Sequence, residues 1–387
     1  MSDALTVVVV GGGVSGLVSA MTLAKAGIEV TVLEEHDTIG TPCHCGGVVS
    51  TDYGEKIGLA LPSSIELNDL YGFRFTDGTK EIVVRSSRPV ARVISRERLD
   101  EHLAELCERE GVELVRSKKA ISIREVDHPT IVDESARTHG AEYAVLAGGI
   151  ADDLGRQVGL TRYNSHLLVS AQCVAKKHMD PTVATVYLSD QISPEFFGYV
   201  VPIDGQHCRI GVASRKADVL GSVRLVAKKE GAELTGRPSL WGIWTGGPIH
   251  RIRRGNVFTV GDEAGMTKAT TGGGIVFGAL SGRATAETII QELKGTSPEA
   301  MKSSEALMSQ LRKIRTVRKI LDSVGPQLVM EAMTSITTRE KLTRYLDTVD
   351  FDFHGDLTKA LLTIRPSAHL MPIGIKTIYH LITGLFK

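Results

Sequence analysis

A chain of 387 residues is long enough to bury a large core and to hold one compact domain with a second, smaller one. Its 45 basic residues balance 45 acidic ones, which excludes the global positive field of a nucleic-acid binder and makes any attraction for anions local. The five cysteines, Cys43, Cys45, Cys107, Cys173 and Cys208, are odd in number and scattered, which excludes a secreted disulfide framework and predicts a reducing, cytoplasmic setting.

The chain begins with β-branched residues that run straight into glycines, with no basic n-region and no cleavage-like site, so residues 7–10 read as a strand and not as a signal peptide. A glycine turn over 11–16, an apolar stripe of Leu17, Ala20, Leu23 and Ala24, and a second strand over 28–33 complete a βαβ unit. A loop rich in Gly, Pro and Cys follows, then alternating residues over 73–75 and 82–84 that predict antiparallel strands. Residues 96–109 read as a helix with Leu99, Leu103 and Leu106 on one face, ended by Gly111. After a strand over 143–146, strand-like segments at 167–174, 182–188, 199–202 and 209–213 predict a separate antiparallel layer, the substrate domain. A buried strand over 257–260, a second glycine-rich turn and a helix over 274–293 return the chain to its first domain. From Pro298 onward the pattern is helical, without internal repeats or a long linker.

The expected architecture is α/β: a Rossmann-like dinucleotide-binding domain over 1–60, 90–162 and 250–296, an inserted β domain over 61–89 and 163–249, and a helical region over 297–387. No apolar run reaches the roughly 20 residues that cross a bilayer, and the hydrophobic tail over 370–386 is interrupted by Pro372, Lys376 and His380. Residues 307–324 place Leu311, Ile314, Val317 and Leu321 on one helix face, with Arg312, Lys313, Arg315, Arg318 and Lys319 elsewhere. Such a helix either packs with a solvated cationic face or rests peripherally on anionic lipid.

Gly11-Gly-Gly13-Val-Ser15-Gly16 fits G-x-G-x-x-G directly after a strand and at the opening of a helix. Gly11 permits the tight turn, Gly13 lets backbone approach a pyrophosphate, and Gly16 lets helix pack on strand. Glu34 ends the second strand, where a carboxylate accepts ribose hydroxyls and repels a 2′-phosphate. FAD and NAD share this fingerprint. The choice falls to a second site, Gly261-Asp262-Glu-Ala-Gly265 followed by Thr271-Gly272-Gly273-Gly274-Ile275, which resembles the distal flavin motif of proteins that fold like aromatic hydroxylases. The resemblance implies that Asp262 meets the ribityl hydroxyls and that the next helix aims its N-terminus at the flavin, stabilising negative charge there.

Between these sites lies Gly40-Thr-Pro42-Cys43-His44-Cys45-Gly46-Gly47. This loop resembles that of the geranylgeranyl reductase family, notably the archaeal enzymes that reduce digeranylgeranylglycerophospholipids. Cys45 stands where the family has its cysteine, and Ser15, Glu34, Gly46, Arg96, Ala120, Asp262, Gly274 and Ile275 fall at matching places over residues 5–290. The resemblance implies FAD as cofactor, Arg96 near it, Cys45 as the catalytic residue, either a proton donor or a group that positions the flavin, and an isoprenoid lipid as substrate; the electron donor is not readable from the sequence, with ferredoxin, a reduced nicotinamide or another donor open. From the residues alone, Cys43-x-Cys45 is also compatible with a metal site, a redox pair or plain loop packing.

The chain departs from its relatives in two places. They often continue the cysteine motif as Cys-Gly-Glu-Gly, where this chain has Cys45-Gly46-Gly47-Val48. The hydroxylase-like proteins commonly carry Ala-Asp-Gly after the strand over 143–146, where this chain has Ala147-Gly148-Gly149 and then Asp152-Asp153, so that carboxylate contact is lost or relocated. The aromatic and proline motif of the reductases is approximated by Phe196-Phe197-Gly-Tyr199-Val-Val-Pro202, which with Trp241 and Trp244 either lines a channel or fills a core. Rival readings are an FAD-dependent aromatic hydroxylase and a non-catalytic flavoprotein electron carrier.

Overall fold

The computed structural model describes residues 5–151, 153–160, 166–296, 299–333 and 336–356. Asp152 and the tail over 370–386 lie outside the described residues.

The central sheet runs in the order Arg253–Arg254, Val257–Thr259, Tyr143–Leu146, Thr6–Val10, Glu29–Leu33 and Glu113–Val115, parallel except at its first strand. Its strands are apolar on both faces because both faces are covered. Val7 and Val9 face a core shared with Leu17, Leu99, Leu103, Val276 and Ile289, which come from the helices Val14–Lys25, Arg96–Arg109 and Ile275–Leu293. Val8 and Val10 point the other way, into a core with Ile123, Ile131, Leu146 and Leu154 beneath a three-stranded sheet of Ala120–Arg124, Thr130–Asp133 and Thr138–Gly140. The helix Arg96–Arg109 starts where Ser95 accepts the Arg98 N–H at 3.3 Å, and it turns its face one residue from the expected stripe: Cys107 is buried while Leu106 is half-buried.

The second layer is an eight-stranded sheet in the order Glu233–Leu234, Leu167–Lys176, His207–Ser214, Gly198–Pro202, Val183–Tyr187, Gly72–Thr76 and Glu81–Arg85, with Ser239–Trp244 also paired to Leu167–Lys176. It is antiparallel except where Val183–Tyr187 meets Gly72–Thr76 in parallel. The helix Val219–Glu230 packs on it, a turn of the chain that a strand-seeking reading passes over. Its signals are nonetheless present: Asp218 caps it by accepting the Leu220 N–H, Val219, Val223 and Val226 share its buried face, and Gly231 ends it in the left-handed region.

The long helix Ala300–Val324 lays Leu311 and Ile314 against Ala264, Met266 and Phe277. Its apolar face is therefore covered by protein. Arg318 is not on a solvated face as the pattern suggested. Buried, it stacks 4.7 Å from the Phe196 ring and pairs with Asp322 at 2.6 Å. Among the described residues no helix is long and apolar enough to cross a membrane.

After the helices Pro326–Met333 and Ile336–Thr348, the chain returns to the first domain. Asp347 accepts from Ser86 at 2.7 Å, Asp350 pairs with Lys56 at 2.7 Å, and Asp352 holds the buried Lys268 ammonium at 2.5 Å and the Ser50 N–H at 2.9 Å. His354 is buried between the Thr270 hydroxyl at 2.7 Å and the Phe351 carbonyl at 2.9 Å, and burial, aided by the Lys268 charge, lowers its pKa to about 4. An unfolded chain therefore takes up a proton at His354 near pH 6.5 that the folded chain refuses until about pH 4. Stability contributed by the neutral ring is complete above the unfolded value and is lost as pH falls. Chemical denaturation should show a loss of about 2 kcal/mol between pH 7 and pH 5 that His354→Gln removes.

Candidate functional site

A cavity of about 660 Å³ runs between the two layers and is lined by both glycine motifs and the cysteine loop. Of the site residues expected from the sequence, Gly11, Gly13, Ser15, Glu34, Cys45, Gly46, Arg96, Ala120, Gly261, Asp262, Gly273, Gly274 and Ile275 all line it. Gly16 does not. It lies beneath the turn, where an added Cβ would sit 2.0 Å from the Gly11 carbonyl oxygen, so its part is packing. Gly13 is the opposite case: a Cβ there would meet nothing within 4 Å, leaving open space over the backbone.

Two helices begin at this cavity, at Val14 and at Ile275, and the residue at each cap, Gly13 and Gly274, has no side chain to satisfy the first N–H groups. Two positive helix ends thus face one space. At the end of the second strand, the Glu34 carboxylate accepts the Gly12 N–H at 2.7 Å through one oxygen and meets His36 at 2.7 Å through the other, which fixes it at the cavity edge. Arg96 is held by Asp100 at 2.8 and 3.0 Å, while its buried Nε has no partner. Burial lowers the Arg96 pKa, but Asp100 and the cysteines beyond it more than reverse this, so the cation is secure. Burial raises the Asp100 pKa against the pull of Arg96.

In the cysteine loop, the Cys45 sulfur accepts the Gly47 N–H at 3.3 Å and is half-buried against the core. His44 stacks on Trp241 with ring centroids 4.5 Å apart, and its Nδ1 is buried without a partner. Burial, then the nearby His36, lowers the His44 pKa, so the ring is neutral at pH 7. Among the described residues no three His, Cys, Asp or Glu side chains are grouped to hold a metal, and all five cysteines are free. Gly47 explains one departure from the relatives: its φ is +67° and a Cβ would lie 2.4 Å from the Ile94 carbonyl oxygen, so this backbone has no room for a glutamate.

Two neighbours of the cavity, Arg209 and Glu263, were not singled out from the sequence. Arg209, buried on a central strand, reaches across to donate to the Gly46 and Ile94 carbonyls at 3.0 and 3.2 Å and so ties the cysteine loop to the second layer. Nothing in its local pattern marks it, because its partners lie more than a hundred residues away. Glu263, beside the expected Asp262, accepts the Gly148 and Gly155 N–H groups at 3.0 and 3.1 Å. A carboxylate is therefore present at the Ala147-Gly148-Gly149 loop, supplied from the distal motif. Tyr199 donates to Gln172 at 2.6 Å and lies over Gly211, where a Cβ would be 2.2 Å from its ring. Phe73, Phe197, Tyr199, Trp241, Trp244 and Phe351 line the apolar part of the cavity, whereas Phe196 is buried behind Phe197 with ring centroids 4.3 Å apart.

Residues 6–86 match a family model described as FAD dependent oxidoreductase. Over 361 residues, covering 86% of this chain and 92% of the relative, the sequence is 26% identical to digeranylgeranylglycerophospholipid reductase 2 of Methanothermobacter thermautotrophicus. It is 25% identical to the geranylgeranyl diphosphate reductase of Rhodobacter capsulatus over 96% of each chain. Among solved structures, a geranylgeranyl bacteriochlorophyll reductase-like protein of Thermoplasma acidophilum superposes with a TM-score of 0.77 at 20% identity, over 95% of this chain and 99% of that one.

Burial, then the neighbouring Cys45, pushes the Cys43 thiol up to about 12. A thiol with that pKa stays protonated and unreactive at moderate pH. Peptide mass mapping after iodoacetamide treatment of the folded protein at pH 8 should find Cys43 unmodified, and modified only once denaturant is added.

Proposed function

We propose that this FAD-dependent oxidoreductase, which resembles the geranylgeranyl reductases, saturates isolated C=C bonds of geranylgeranyl chains in membrane-lipid precursors. The observation that carries the reading is the continuity of one cavity: its polar end is built from two glycine turns and two uncapped helix ends, and its other end is aromatic and apolar. A dinucleotide suits the first end. The open space over Gly13, the unused buried Arg96 Nε and the anchored Glu34 carboxylate are the features that fit it. In this assignment Gly11, Gly13, Ser15 and the first helix end hold the pyrophosphate, Glu34 the adenosine ribose, Asp262 the ribityl chain, and Gly273, Gly274 and Ile275 the flavin ring, with Cys45, Gly46, Arg96 and Ala120 completing the enclosure.

When bound at this site, reduced FAD would supply the hydride. An isolated alkene has no conjugated carbonyl to absorb the arriving charge, so the chain must hold the alkene still, exclude water and give a proton to the second carbon. Phe197, Tyr199, Trp241 and Trp244 are suited to the first two tasks, since they line the cavity with apolar surface. Cys45 takes the third, because its thiol lies in the loop that joins the polar and apolar ends. The electrons come from ferredoxin or a reduced nicotinamide, and the substrate lies in a membrane that the protein meets peripherally.

With chemically reduced, FAD-loaded protein under anaerobic conditions, digeranylgeranylglycerol phospholipid should gain mass in steps of one hydrogen pair. Cys45→Ala should retain bound FAD and slow this conversion by at least about 100-fold, the usual worth of a general acid. An untouched lipid, with a flavin that reduces and reoxidises normally, would overturn the reading and direct attention to oxygen uptake by a hydroxylase. Separately, Glu34→Ala should weaken FAD binding by about 10- to 100-fold in equilibrium titration, the range for loss of a charged hydrogen bond.

A further inference from the structure

The apolar chamber accounts for the hydrocarbon of a prenyl lipid and leaves its phosphate end without a partner. In a chain without net charge, a local concentration of cations marks a place that can attract an anion. One such concentration borders the aromatic wall of the chamber. Arg312, Arg315 and Lys319 follow one another at three- and four-residue spacing along the helix Ala300–Val324 and therefore share a face, although like charges at that spacing repel. Among the described residues no carboxylate pairs with any of the three. The acids nearby are already engaged: Asp322 pairs with Arg318 at 2.6 Å, and Glu195 accepts from the Ser214 hydroxyl at 3.0 Å and the Lys216 N–H at 3.1 Å.

Two side chains, His166 and Trp244, lead from the cluster to the cavity. Arg315 reaches the His166 ring at 3.4 Å, His166 meets Trp244 edge-on with centroids 6.0 Å apart, and Trp244 lines the chamber. The Arg315 stem is fixed against Gly247, where a Cβ would lie 3.1 Å from its Cδ, and the Gly247 carbonyl accepts the Trp244 indole N–H at 2.6 Å. On the other flank Arg318 stacks on Phe196, which stacks on Phe197, another residue of the chamber wall. Burial and the charges of Arg315, Arg215 and Lys319 hold the His166 pKa down, the mark of a positive potential that an anion would relieve.

We propose that Arg315, Lys319 and His166 form an anion subsite for the phosphate or diphosphate head group of the substrate whose prenyl chain fills the aromatic chamber. The proposal rests on the prenyl-reductase reading and deepens it. Arg315 supplies the planar fork that matches phosphate oxygens, Lys319 adds charge one turn further along the helix, and the neutral His166 ring offers one N–H. The low-dielectric aromatic wall behind them strengthens the attraction.

The test is calorimetric titration of the FAD-loaded full chain with geranylgeranyl diphosphate, geranylgeraniol and inorganic diphosphate. Wild type should bind the prenyl diphosphate at least about 30-fold more tightly than the alcohol, and Arg315→Met with Lys319→Met should erase that difference while leaving the alcohol's affinity unchanged. Lys319→Glu alone, at an exposed position with no packing to lose, should weaken the prenyl diphosphate by about tenfold. Equal wild-type affinities for diphosphate and alcohol, or equal weakening of both by the double variant, would overturn the subsite and leave the prenyl reading standing. Binding of inorganic diphosphate to wild type but not to the variant, with neither prenyl compound bound, would keep the subsite and overturn the prenyl reading.

Discussion

The backbones of the helices Val14–Lys25 and Ile275–Leu293 approach so closely at Ser15 that only glycine fits opposite it. A Cβ on Gly282 would lie 2.3 Å from the Ser15 carbonyl oxygen, and one on Gly261 would lie 2.4 Å from the Ser15 hydroxyl. This contact joins residues that are 246 and more positions apart in the chain, and it is what brings two helix N-termini to one cavity. A single methyl group at Gly282 would meet the Ser15 backbone and push the helices apart. Everything at the polar half of the site, from the open backbone at Gly13 to the carboxylate of Asp262, takes its place from that approach.

The second half of the site depends on contacts between layers. Arg209 crosses from the eight-stranded sheet to the carbonyls of Gly46 and Ile94, and Tyr199 lies against Gly46 and Gly211. Both hold the cysteine loop at the border of polar and apolar space. The segment around Asp352 closes the arrangement from the far end of the described chain, because the buried Lys268–Asp352 pair anchors it to the loop leading into the second helix end. Such a pair adds little to stability by itself, but loss of one partner strands a buried charge at a cost of about 3–5 kcal/mol. The C-terminal helices are therefore tied to the geometry of the cavity as well as to the sheet they cover.

Cations and aromatics divide the remaining work. The chain is neutral overall, yet like charges crowd one face of the helix Ala300–Val324 beside the wall formed by Phe197 and Trp244. The same helix spends its apolar face on Ala264, Met266 and Phe277, so its periodicity is first of all that of a packed helix. Arg318, which follows the basic pattern in sequence, is drawn inward because Phe196 and Asp322 offer it both a ring face and a counter-charge.

Local chemistry made much of this protein readable from its residues. The βαβ opening, the glycine turns, the helix Arg96–Arg109 and the strand Tyr143–Leu146 follow from periodicity and from backbone conformations that only glycine adopts freely, and these are properties of neighbouring residues. The two glycine motifs were legible for the same reason, and the structure brings both to one cavity. Tertiary structure alone decided that Gly16 packs while Gly13 lines space, that Gly47 has no room for a side chain, that Glu263 supplies the carboxylate missing after Ala147, and that Arg209 and Asp352 brace the loops. Those roles are set by distances between segments far apart in the chain, and burial in a low-dielectric interior gives them their strength, neither of which a local pattern encodes.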